Sequence, residues 1–237
     1  MRNPLVSCIC PTYSRPRFLV QTVEYFLRQR WRNAELIILD DSPSDLQAPL
    51  RMYPRVRVKR FSDRLPMGLK HNIGLEMAQG DFIAHWDDDD WQSSMRLMRQ
   101  VETLLLEPVD VCGYATNLLM TDGDGKFWRF LRGKRKTLVG NAMIVVNVPF
   151  MDGTAMFKRS VVGEMQYPTI EVGQKVVFLE GLERAGAKLK GMPNEDMYVY
   201  VRHGVNTWQY RNDRRLTPVE RPTWFPPQDL AFYRGAA

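Results

Sequence analysis

Strand-sized apolar runs alternate with helix-period segments through the first ~110 residues, and this alternation confines the chain to α/β architectures with a doubly wound, mostly parallel sheet. Residues 5–10 read as a buried strand ended by Pro11, and Pro16 opens a helix on which Leu19, Val23, Phe26 and Leu27 recur at helical spacing. Residues 35–39 form a second strand that closes on the turn sequence Asp40-Asp41-Ser42-Pro43. Residues 56–61 give a third strand, and residues 68–79 a helix stopped by Gly80. A fourth strand, 82–86, runs straight into Asp87, Asp88, Asp89 and Asp90. The helix after it spans 93–106, with Met95, Leu97, Met98, Val101, Leu104 and Leu105 on its apolar side. Ligands of such sheets bind beyond the carboxyl ends of the strands. Three of those ends carry reactive side chains (Pro11-Thr12-Tyr13, Asp40-Asp41-Ser42 and the aspartate run), so the pattern predicts one crevice where they converge.

The second half is less regular. Asp122-Gly123-Asp124-Gly125 reads as a tight turn joining 117–121 to 127–130 in a hairpin. No Glu follows at the spacing a calcium loop needs, so Asp122 and Asp124 are turn residues. A helix is expected over 175–185 and a strand over 198–202. Beyond Thr217, Pro218, Pro222, Pro226 and Pro227 lie among aromatics and predict an extended tail draped over the domain. These signals divide the chain into a ligand-binding α/β half at 1–115, a second half of the same domain at 116–216, and a Pro/aromatic-rich tail at 217–237.

A hydrophobic content of 44% in 237 residues is ordinary for one globular domain. No apolar run approaches a membrane span and the N-terminus has no signal-peptide core, which points to a soluble cytoplasmic protein. Cys8, Cys10 and Cys112 lack metal-site spacing and read as buried reduced thiols. The net charge is +6, with two basic stretches. Lys126, Arg129, Arg132, Lys134, Arg135 and Lys136 make one; Arg51, Arg55, Arg57, Lys59 and Arg60 make the other. They suit a polyanionic partner such as a nucleic acid, or equally a solvated basic face.

Four adjacent carboxylates after a buried strand, flanked by Trp86 and Trp91, are electrostatically costly without a positive charge among them. A hard divalent cation, Mn2+ or Mg2+, is the simplest remedy.

In this order and spacing, four blocks resemble family 2 glycosyltransferases: residues 6–16 (VSCICPTYSRP), 35–42 (ELIILDDS), 68–74 (GLKHNIG) and 78–91 (AQGDFIAHWDDDDW). The resemblance implies a fold of the GT-A kind, with a smaller mixed acceptor-side region. It implies metal-dependent transfer of a hexose, with inversion, from a nucleotide-sugar donor whose base is uridine. Pro11, Thr12, Tyr13 and Arg15 would then border the base and phosphates, with Asp40 or Asp41 on the base or ribose. Lys70 would lie near the pyrophosphate, and His71 stands where the family often has Arg. Asp87 and Asp89 align with the family's DxD motif, Asp89 as metal ligand and Asp87 facing the donor together with Asp88. Residues 152–159 resemble the acceptor-side segment. Residues 198–208 resemble the closing strand, where His203 is a second candidate metal ligand.

One block departs from the pattern. Inverting members usually carry Glu-Asp after the acceptor segment, the Asp serving as catalytic base. Here Gln174 and Lys175 stand there, and neither is a carboxylate base. The remaining candidates are Glu171, Asp152, Glu195 and Asp196. The acceptor is left open, with modified DNA or an anionic glycan suggested by the basic stretches. A non-catalytic nucleotide-sugar-binding protein is the alternative, and a nucleotidyltransferase lacks its glycine-rich signature after the first strand.

Overall fold

The computed structural model describes residues 3–44, 50, 52–115, 118–130, 135–139, 142–146, 148–204, 206 and 216–235. Its centre is a seven-stranded sheet. Strands β1 (Val6–Thr12), β2 (Ala34–Asp40), β3 (Val56–Arg60) and β4 (Phe82–His85) form one parallel run in the order β4-β1-β2-β3. β1 and β2 are buried along their whole length, as expected for strands covered on both faces. Their register levels the strand ends: Thr12 lies beside Asp40, and Asp40 beside Arg60.

Helices cover both faces. In α1 (Pro16–Leu27), Pro16 occupies the first turn, where its fixed φ suits a helix start. Phe18, Leu19, Val23 and Phe26 of α1 pack into the core cluster on one side of the sheet. α2 (Met67–Met77) lies against the other side, where Gly74 permits close approach: an added Cβ would stand 2.5 Å from Ile9. Strand β5 (Trp91–Gln92) and helix α3 (Arg96–Leu106) follow the aspartate run.

The second half completes both this sheet and a smaller one. β6 (Val111–Tyr114) is joined to β4 through β11 (Met156–Lys158), which is antiparallel to both. β12 (Leu189–Met192) adds a parallel edge beside β6. The central sheet therefore takes strands from both sides of residue 115. The smaller sheet has the order β14-β8-β7-β13-β5, with β7 (Leu118–Thr121), β8 (Phe127–Phe130), β13 (Tyr198–Arg202) and β14 (Leu216–Val219). β7 and β8 are the expected hairpin, and Asp124 closes its turn through the Thr121 hydroxyl and the Lys126 N–H. β9 (Arg135–Val139) and β10 (Ala142–Val146) pair separately. Helix α4 (Gln174–Arg184) matches its expectation within one residue.

The tail corrects the sequence reading. Its first part is extended, as β14 paired with β8, but its end folds into helix α5 (Pro227–Tyr233). Pro227 sits in the first helical turn, where the missing N–H costs nothing, so the proline pair starts a helix. Asp229 of α5 then reaches into the core and accepts a 2.7 Å hydrogen bond from Trp91 Nε1.

All three cysteines are buried and unbridged, and burial pushes the Cys8 and Cys112 thiols up to about 12. Among the described residues, no helix is long and apolar enough to cross a membrane.

Candidate active site

The strand ends meet as expected. After β1 the chain turns through Ser14, whose φ of 51° is positive, and the next residue, Arg15, bonds Asp88 and Asp89. The Ser14 N–H donates to Ser42 Oγ at 2.7 Å, and Ser42 donates in turn to Asp40. Asp40 is wholly buried, with Arg60 Nε 3.6 Å from its Oδ2. Asp41 accepts from Lys70 Nζ at 2.8 Å, from the Leu65 N–H at 2.8 Å and from Arg64 Nη1 at 3.2 Å. Lys70 is fully buried and also donates to the Thr12 carbonyl at 3.2 Å, so it ties the ends of β1 and β2 together. Burial pulls its pKa down, against the opposing pull of Asp41. Tyr13 stands at the mouth, 39% exposed, with the Arg64 guanidinium 3.8 Å over its ring.

Each carboxylate of the aspartate run has a different partner. Asp87 takes an ion pair from Lys175 of α4. Asp88 accepts from Thr12 Oγ1 at 2.6 Å and Arg15 Nη1 at 2.8 Å; burial raises its pKa to about 6 although Arg15 opposes the shift. Asp89 Oδ2 receives Arg15 Nη1 at 2.9 Å and Asn206 Nδ2 at 3.3 Å, and lies 2.9 Å from His203 Nε2. Burial works to raise the Asp89 pKa, but His203 and Arg15 hold it below the usual value. Asp90 accepts from the Tyr198 hydroxyl and, at 2.8 Å, from the Val201 N–H, which fastens β13 to the end of β4. Burial, then Asp89 and Asp87, push its carboxyl far up.

Beneath the run, the buried Arg96 guanidinium donates to the His85 carbonyl at 2.7 Å and to Gln92 Oε1 at 2.5 Å, fixing where β4 ends. His85 Nδ1 lies 2.6 Å from the Asp152 carbonyl and Nε2 lies 2.6 Å from the Tyr167 hydroxyl. Burial, then the Lys175 ammonium, lower His85 to about 3, leaving a neutral ring. His71 is likewise buried and held neutral, so it adds no charge to the site.

The four candidate bases are dispersed. Asp152 opens the 3-10 turn Asp152–Thr154, and its carboxylate acts electrostatically on both Asp87 and Lys175. Its neighbour Gly153 abuts the site so closely that a Cβ there would stand 2.2 Å from Asp87 Oδ2. Glu171 accepts from Arg64 Nη2 at 2.9 Å and the Met67 N–H at 3.0 Å, which binds it to the start of α2. Glu195 and Asp196 sit on a turn closed by Asn194, which bonds Tyr198 N–H and carbonyl. Glu195 lines a separate surface recess of about 510 Å³ with Arg129, Glu220 and Trp224.

Sequence reasoning missed Asn206, Arg64 and Lys175 as members of this site. In sequence Lys175 stands out only as a departure from the carboxylate the family carries at that position. Of the basic stretch at 51–60, Arg57 pairs with Glu35, Arg60 turns toward Asp40 and Arg55 covers the Phe26 ring. Arg51 lies outside the described residues, as do Arg132 and Lys134 of the other stretch.

Among the described residues, no three His, Cys, Asp or Glu side chains stand together as a metal-holding group. The pair Asp89 and His203 is the nearest to one. Among the described residues, the hydrogen bonds to Asp89 all fall on Oδ2, the oxygen that His203 Nε2 also approaches. The carboxylate suits a hard cation that keeps most of its positions for water or phosphate oxygens, whereas the imidazole is a ligand more usual for borderline ions.

Comparison with known proteins gives a consistent picture. The family described as Glycosyl transferase family 2 matches residues 7–165. An uncharacterized glycosyltransferase of Haemophilus influenzae is 29% identical over 77% of this chain and 74% of its own. TuaG of Bacillus subtilis, named for teichuronic acid biosynthesis, is 25% identical over 96% of this chain and 89% of its own. Staphylococcus aureus TarS, solved with UDP-GlcNAc, superposes with a TM-score of 0.69 at 14% identity, over 86% of this chain and 60% of that one.

Proposed function

Because the chain belongs to glycosyltransferase family 2, we propose that it transfers a sugar from a uridine diphosphate sugar to a hydroxyl of a glycan acceptor. One observation carries the reading: Arg15 from the end of β1, Asp88 and Asp89 from the end of β4, and His203 from beyond β13 meet within 3 Å at one point of the strand-end crevice. That is where an α/β sheet binds its ligand. Similar proteins support the donor class: TarS is solved with UDP-GlcNAc, and WfgD of Escherichia coli, 30% identical over 44% of this chain, is named for UDP-Glc. A glycan acceptor is supported by the name of TuaG, while the described arginines of the basic stretch at 51–60 are engaged by the fold's own groups, which weakens the case for nucleic acid.

In this reading Tyr13 and Arg64 frame the base, Asp40 and Asp41 hold the ends of β1 and β2 around the ribose, and Arg15 faces the diphosphate. Asp89 and His203 would hold Mn2+ or Mg2+; a mannosyltransferase of the same fold, with a TM-score of 0.62, is solved with GDP-Man and Mn2+. Such an ion, when bound, neutralises the charge that develops on the diphosphate. Asp152 is the base. Of the four carboxylates considered, it alone adjoins Asp87 and Lys175, and a base must reach the reacting hydroxyl. The C1–O bond to the diphosphate breaks with its electron pair staying on the phosphate oxygen. The acceptor oxygen bonds C1, and its proton passes to Asp152.

The test is a calorimetric titration of UDP with and without MnCl2, repeated on Asp89→Asn. Metal-dependent binding that the substitution removes is the expected result. Failure of the unaltered protein to bind UDP, GDP or any other nucleoside diphosphate would end the donor reading.

A further inference from the structure

The geometry points to Lys175 as a resident cation of the donor site, one that holds Asp87 in the free protein and contacts the donor's diphosphate when it binds. The inference rests on the donor-site reading above and deepens it.

Lys175 reaches the site for local reasons. Gly173 caps α4 with φ 86°, a conformation open to glycine, so the helix begins abruptly and its second residue faces the crevice. The side chain is 10% exposed, and its ammonium pairs with Asp87 Oδ1. Gly153 leaves the space Asp87 needs to adopt this position, since a Cβ there would overlap Oδ2. The nearby His71 and His85 are buried and neutral, so neither imidazole adds a positive charge beside the ammonium. In front lie Asp87, Asp152 and Asp90, whose fields keep Lys175 charged in spite of its burial.

Arg15 and Lys175 thus share the aspartate run between them, Arg15 on Asp88 and Asp89, Lys175 on Asp87. An ammonium on four rotatable carbons can keep one hydrogen bond to Asp87 and offer its other donors to a phosphate oxygen. Its position makes it a positive charge in the crevice that needs no divalent ion. Affinity for the diphosphate should therefore survive metal removal in part, and that remainder should depend on Lys175.

The experiment is calorimetric titration of UDP and of uridine into the unaltered protein, Lys175→Met, Lys175→Arg and Lys175→Met/Asp87→Asn, each with MnCl2 and with EDTA. In EDTA, Lys175→Met should weaken UDP about tenfold or more, the scale of one charged hydrogen bond. Uridine affinity should stay unchanged and Lys175→Arg should retain most of the UDP affinity. Manganese should narrow the gap, and the double variant should remain weak. Unchanged UDP affinity in Lys175→Met overturns the inference. So does full recovery in the double variant, because Lys175 would then act only by neutralising Asp87. An equal loss for UDP and uridine also overturns it, because the defect would then be in the site's shape. If the unaltered protein binds no nucleoside diphosphate, the donor reading itself fails, and that result is distinct from each of these.

Discussion

Gly68→Ala tests whether the segment leading into α4 is locked against α2. Gly68 lies in the first turn of α2, and its N–H donates to the Ile170 carbonyl at 3.1 Å. An added Cβ would stand 1.8 Å from the Pro168 carbonyl oxygen and 2.8 Å from its carbon. Ordinary contact begins near 3.4 Å, so the shortfall is about 1.6 Å, and the obstacle is backbone that no rotamer change relieves. Alanine would gain up to about 1 kcal/mol in helix preference, less in a first turn. Overpacking costs about 1–3 kcal/mol and the strained Ile170 bond about 1 more, so the clash wins by roughly 2 kcal/mol. For a domain of this size that lowers Tm by roughly 4–8 °C. Differential scanning calorimetry measures it, with Gly204→Ala as control, because a Cβ there meets nothing within 4 Å among the described residues. Residues 168–173 also carry Glu171 and lead to Lys175, so any relief by backbone movement should appear as weakened UDP binding. A Tm within 1 °C together with unchanged UDP affinity would refute the reasoning.

Glu35 accepts from Ser7 Oγ, Arg57 Nη1 and the Gln79 N–H; burial opposes ionisation, but these donors prevail and hold its pKa below 4.5. Its stabilisation is therefore complete above the unfolded pKa and lost as pH falls through the folded one, so the Tm deficit of Glu35→Gln should shrink below pH 4.5; a deficit constant to pH 3 contradicts this. Asp229→Ala leaves the buried Trp91 N–H without its acceptor and should cost about 1–3 kcal/mol, seen as a lower urea midpoint at unchanged m-value. An unshifted midpoint would mean that α5 does not anchor the smaller sheet. The three thiols should be inert to a disulfide reagent at pH 8 in the folded protein and all react in guanidinium, because burial holds them protonated and out of reach.

Most of the first 110 residues could be read in advance because each element declares itself locally. The Pro16 start, the Gly80 stop and the apolar runs of β1, β2 and β4 are short-range signals, and structure and expectation agree there within a few residues. β11 could not be read: three residues, Met156–Lys158, make no period, and only the gap between β4 and β6 makes them a strand. The tail's helix is hidden in the sequence because proline reads as a breaker. Pro227 stands in the one helical turn where it helps, and the evidence for that, Trp91 awaiting Asp229, lies 138 residues away.

The aspartate run shows the same limit acting on chemistry. Read from sequence, four adjacent carboxylates form one electrostatic problem with one remedy, a cation. Folding divides that problem among partners drawn from across the chain: Arg15 is 73 residues from Asp88, Lys175 is 88 from Asp87, Tyr198 is 108 from Asp90 and His203 is 114 from Asp89. Crowding therefore no longer argues for a metal, since the fold supplies its own donors and two of its own cations. What still favours one is narrower: Asp89 and the His203 imidazole stand 2.9 Å apart at the strand-end crevice. A metal bound there would add its charge to that of Arg15 and Lys175 instead of standing alone. The departure at Gln174 and Lys175 then has a physical sense: the position gives up a carboxylate that Asp87 would have repelled and gains an ammonium that Asp87 holds in place.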